Sequence, residues 1–135
     1  MIKFKNDAHE KFYMNHSHLH LDVYHRSLIY TLGLLEDTRN NFDKLFDAKK
    51  SVIRPAELDA GWQTSGTLRT CRLAFNLWNG YCGNNRPSDS ASNYNVDVLF
   101  CASLAPWYWE AVKVRYPEYA DEDWDEMFFL QTQPQ

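Results

Sequence analysis

AGWQTSGTLRTCRLAFNLWNG, residues 60–80, carries a complete helix specification in one segment. Gly61 marks a turn. Ser65 or Thr67 is the candidate cap, a hydroxyl able to accept from a free N–H of the first helical turn. Leu68, Cys71, Phe75 and Trp78 then recur at helical spacing and form one apolar face. Asn79-Gly80 stops the helix, glycine being free to take positive φ. A helix with so large an apolar face needs other helices to cover it.

Upstream, Asn6 caps a short helix on DAHEKFYMN, with Phe12 packing on one side. HSHLHLD is polar and reads as a turn. Asp22 caps a second helix. Leu21, Tyr24, Leu28, Leu32, Leu35, Phe42 and Phe46 predict one apolar stripe running to about residue 47. EDTRNN interrupts that stripe, and a kink or break is expected near Asp37, where Asp, Thr and Asn compete with the helical backbone. The connection that follows holds a short helical turn on PAEL, proline first.

Downstream, CGNNRPSDSASNYN is the one long polar loop. VDVLFCASL is short, and helix is favoured because no partner strand is visible. Pro106 opens PWYWEAVKVRY and Pro117 closes it, with Tyr108, Val112 and Arg115 or Tyr116 as its inner stripe. DEDWDEMFFL predicts a short acidic helix, Trp124, Met127 and Phe128 on one side and carboxylates on the other. The expectation is a mainly α, compact single domain over residues 1–135, a bundle of about five or six helices with one long polar loop.

The chain's 135 residues suffice for one self-supporting core, and its 16% aromatic content supplies that core in large pieces. The formal net charge of −4 and the lack of basic tracts argue against direct nucleic-acid binding. No apolar run approaches a membrane span, and the charged start reads as neither signal nor transit peptide. Three cysteines without paired spacing suit reduced thiols, so a cytoplasmic location is expected.

All five histidines fall in the first 25 residues. His16 and His20 would share a helix face, but no carboxylate or cysteine completes an established ligand spacing, so no metal is expected. Cys71 sits on an apolar helix face, the place of an inert buried thiol. No nucleophile elbow, phosphate loop or dinucleotide fingerprint is present, and neither catalytic residues nor a cofactor are expected.

Three features remain as candidate sites. The acids Glu122, Asp123, Asp125 and Glu126 can be a solvated face or a mimic of phosphate charge that fills a basic groove. Trp107 and Trp109 can be core or an interface anchor, and exposure of either favours the anchor. Arg69 and Arg72, with Thr67 at the helix start, can hold an anion or pair with acids on neighbouring helices.

AGWQT, TCRLAFNLWNG and APWYWEAVKVRYPEY, with YHRSLIYTLGL and the NDAHEKFY start, resemble a family of uncharacterised small proteins from Gram-positive bacteria, their phages and mobile elements. The likeness covers nearly the whole chain, and HSHLH is not part of the family's pattern. It implies a mostly helical accessory protein of a mobile element, and it transfers no catalytic role.

The expected function is that of a non-enzymatic binding protein or inhibitor. It would block a host protein, such as a CRISPR nuclease or another defence effector with a nucleic-acid-binding surface, through Trp107 or Trp109 and the four acids. The alternative is a small-ligand or nucleotide-binding module using Thr67, Arg69 and Arg72. Exposed aromatics also suit a homodimer.

Overall fold

The computed structural model describes residues 1–120. The expected acidic helix at 121–130 lies outside the described residues. The described chain is mainly helical. Its elements are α1 (Asp7–Asn15), α2 (Val23–Leu32), α3 (Glu36–Asn40), α4 (Phe42–Leu45), a hairpin of β1 (Phe46–Asp47) and β2 (Val52–Ile53), α5 (Ser65–Asn79), α6 (Val96–Leu99) and α7 (Ala105–Arg115). Short 3-10 turns at Ser17–Leu19, Pro55–Asp59, Ala91–Tyr94 and Pro117–Tyr119 join them.

α2 is the axis of the fold, packing on both α5 and α7. Its residues from Ser27 to Leu32 are all buried. A helix covered on every side must hide its polar side chains internally. Ser27 Oγ therefore donates to Tyr24 O, and Thr31 Oγ1 to Ser27 O.

The long second helix expected to reach residue 47 ends at Leu32 instead. Leu35 is extended, and the segment beyond it folds as α3 and α4, separate from α2. The break expected near Asp37 falls slightly earlier, at residues 33–35. Thr38 Oγ1 donates to Leu32 O at 2.6 Å, and an Arg39 guanidinium nitrogen donates to Gly33 O at 2.8 Å. These side chains satisfy carbonyls that a continuing helix would have used. Leu21 and Tyr24, assigned to the buried stripe, are exposed, while Leu28, Leu32, Phe42 and Phe46 are buried. The hairpin occupies the expected end of that helix. Asp47 Oδ1 accepts from the N–H groups of Lys49 and Lys50 and shapes the turn.

The helix of the opening stretch forms as expected, with a shifted cap. Thr64 is the N-cap rather than Ser65 or Thr67. The Thr67 N–H donates to Thr64 Oγ1, and the Thr64 N–H donates to Thr67 Oγ1. The two threonines thus close a reciprocal capping box. Gly80, at φ +80°, ends α5. Cys71 and Phe75 are fully buried, and Leu68 and Trp78 pack at the core's edge.

The polar loop is organised around one buried carboxylate, which its composition does not announce. Asp89 accepts from the hydroxyls of Tyr94 at 2.6 Å and Tyr81 at 2.8 Å. Arg72 on α5 pairs with the same carboxylate, its Nε 3.5 Å from Oδ1, and donates through another nitrogen to Ser88 O. The loop is thereby tied to α5.

Candidate interaction surface

The inner face of α7 is fixed by two fully buried residues, Tyr108 and Ala111. The Tyr108 hydroxyl shares a 2.8 Å hydrogen bond with Thr70 Oγ1 on α5, which sets the rotation of α7 about its axis. With Tyr108 pointing inward, Val112 one turn on packs against the core beside it, while Trp109 and Tyr116, seven residues apart, share a more outward side. Trp109 is 53% exposed. Its ring lies on Phe100 at 4.7 Å, and Phe100 in turn meets Tyr108 edge-on. Trp109 is therefore held against Phe100 and about half open to solvent. Val96 and Val98 of neighbouring α6 are also exposed.

At the other end of α7, Arg115 donates from Nε to Leu77 O at 2.9 Å. Its guanidinium lies 4.0 Å from the Tyr24 ring centroid and 4.5 Å from that of Tyr116. This sandwich holds two half-exposed tyrosines in place by cation–π attraction. Leu21 and Tyr119, three residues from Tyr24 and Tyr116 in the chain, are also exposed, at 69% and 72%.

Of the two expected anchors, Trp109 is on the surface. Trp107 is half-buried against the core. Glu122, Asp123, Asp125 and Glu126 lie outside the described residues. They begin three residues after Tyr119 in the chain, and with Asp121 they hold five of the 18 acidic side chains. Residues 1–120 contain all 14 basic side chains and the other 13 acids, so the acidity of the chain is that of residues 121–126.

Sequence reasoning misses Phe100, Val96 and Val98 as parts of this surface, along with the Tyr24–Arg115–Tyr116 sandwich. The expected inner stripe of α7 holds for Tyr108, which is buried, and for Val112, which packs on the core, while Tyr116 is exposed. The placement of Tyr24 beside Arg115 had no signal in the sequence, because it depends on how α2 crosses α7.

The three residues of the alternative anion site are not poised together. The Thr67 hydroxyl is committed to the capping box and to Gln63 Oε1 at 2.7 Å. Arg72 serves Asp89 and Ser88. Arg69 Nε is buried without a hydrogen-bond partner among the described residues, and its charge reaches the Tyr108 hydroxyl. The other reading expected both arginines to pair with acids on neighbouring helices; Arg72 pairs with an acid, but one in the polar loop.

Other reactive groups are placed by packing. Burial pushes the Cys71 thiol up to about 12, so it stays protonated and unreactive at neutral pH. His9, on the short first helix, is fully buried beneath Phe4 and Tyr30. His25 is buried against the Asp22 carboxylate. Among the described residues no three His, Cys, Asp or Glu side chains converge as a metal site would require. Nor is any helix among them long and apolar enough to cross a membrane.

No curated protein and no solved structure matches this chain. The model of a family of unknown function, DUF6075, matches residues 1–127. That span covers the whole described fold and runs through the acidic stretch, and the chain belongs to that family.

Proposed function

We propose that this protein is a non-enzymatic binding protein of phage or mobile-element type that acts in the cytoplasm on a host protein. It occupies a basic surface that the host protein uses for nucleic acid. A CRISPR nuclease or another defence effector has that chemistry. The observation that supports this reading is the half-exposed Trp109, held on Phe100 at the surface. A rigid aromatic costs little entropy to place in a partner's pocket. A compact set of carboxylates speeds encounter with a basic groove and fixes register.

The test is affinity capture from host lysate, then titration of the purified partner at two salt concentrations. Trp109→Ala is expected to weaken binding by about 2 kcal/mol, the scale of an interface anchor. Reversing Glu122, Asp123, Asp125 and Glu126 together is expected to weaken it further and flatten its salt dependence. A purified partner that binds both variants as tightly as the native chain sinks the reading.

A further inference from the structure

A second surface is built by different elements. The ridge of α1 that carries Lys11, Phe12 and His16 faces the corner between α3 and α4, which carries Arg39, Phe42 and Asp43. Between them lies an open depression of about 430 Å³. Its floor is a triangle of rings. Phe12 meets His16 at 4.3 Å and Phe42 at 5.4 Å, and His16 meets Phe42 at 4.9 Å. A 2.7 Å hydrogen bond between His16 Nδ1 and Phe12 O fixes the imidazole in this position. The rim carries two cations and one acid. The Arg39 guanidinium is held in place by its bond to Gly33 O, which uses one nitrogen of three.

We propose that this depression binds a small ligand made of a planar aromatic ring bearing one anionic group, a phosphate or a carboxylate. Phe12, Phe42 and the His16 imidazole line the depression with rings of fixed geometry, inclined to one another, against which a planar ring packs. The Arg39 fork and the Lys11 ammonium receive the anion, Arg39 through its uncommitted nitrogens. The volume is within the usual range for small-molecule sites. An apolar floor with a few charged groups above it is their usual chemistry. The assignment gives His16, within the histidine run, a role as a stacking wall rather than a metal ligand. It is independent of the α7 surface.

The test is titration of the ¹⁵N-labelled protein with adenosine monophosphate and, separately, benzoate. Adenosine and inorganic phosphate serve as controls. At least one ring-bearing anion is expected to shift the Phe12, His16, Arg39 and Phe42 amides, with Kd of about a millimolar or tighter. Each control is expected to bind about tenfold more weakly. Lys11→Glu, at an exposed position that leaves the core untouched, is expected to weaken binding by about tenfold. The proposal is overturned if neither probe moves these amides, if phosphate alone binds as well as the probe, or if Lys11→Glu leaves the affinity unchanged.

Discussion

His9 Nε2–H donates to the Tyr30 carbonyl at 2.8 Å, while its Nδ1 accepts the Lys5 backbone N–H at 3.1 Å. The second bond fixes the tautomer, since a nitrogen that accepts carries no proton. Tyr30 returns the contact by donating its hydroxyl to Lys3 O at 2.6 Å. A neutral imidazole thus fastens the start of the chain to the central helix.

That clasp predicts a pH dependence. Burial, with the charges of Arg39 and Lys5, lowers the His9 pKa from 6.5 to about 4. The folded state therefore resists a proton that the unfolded chain accepts. Stability is fully present above pH 6.5 and falls as the pH drops toward 4, by roughly 3 kcal/mol at most. His9→Gln should be less stable at pH 7 yet show a flatter decline over that window. Urea denaturation at several pH values measures both, and parallel curves for the two proteins would refute the assignment.

Asp89 should be the most sensitive position in the polar loop. It is 2% exposed, and Tyr81, Tyr94 and Arg72 all depend on its charge. Asp89→Asn leaves the Arg72 charge buried without an anion and is expected to cost roughly 3 kcal/mol. Protease cleavage within residues 82–95 should rise with it. Unchanged stability and an uncut loop would show that the carboxylate is not what ties the loop to α5.

Gly33 marks the close approach of α1 to the end of α2. A Cβ there would stand 2.8 Å from Phe12 Cδ1 and 3.0 Å from His9 Cδ2. Gly33→Ala should destabilise the protein by about 1–3 kcal/mol through overpacking. Gly61→Ala, where a Cβ meets nothing within 4 Å, is the control and should lie within about 0.5 kcal/mol of the native chain. Thermal unfolding of the pair separates crowding from a general effect of removing glycine.

The capping box at the start of α5 yields a discriminating pair. Thr64→Ala should cost about 1 kcal/mol, because Thr67 N–H loses its acceptor. Ser65→Ala should cost little, its hydroxyl capping nothing. Denaturation midpoints that rank the two in the opposite order would place the cap where sequence reasoning first put it.

The legible parts of the fold were those governed by near neighbours. Asn6 and Asp22 cap their helices through the N–H three residues on, as their types and positions indicate. Gly80 and the proline turn at Pro55–Asp59 follow from local conformational preference. The end of α2 was misread because Thr38 and Arg39 act backward on Leu32 and Gly33, over a six-residue step that no helical period reveals. The Thr64 cap was not legible because its N3 partner is Thr67, where a capping box usually has Glu or Gln. Of the candidate site, the sequence left open which of Trp107 and Trp109 is exposed; Trp109 is, and Trp107 packs on the core.

The sequence by itself determined that this chain makes helices, where most of them begin, and that aromatic rings fill their shared core. Those outcomes rest on caps, periodicity and glycine or proline, whose reach is a turn or two of backbone. Only the tertiary structure decided that Asp89 is buried under two tyrosines, that His9 lies in the core, and that Phe100 supports Trp109 at the surface. Each of these depends on which helix faces which. That choice is made by the packing of whole surfaces, and no short window of sequence contains it.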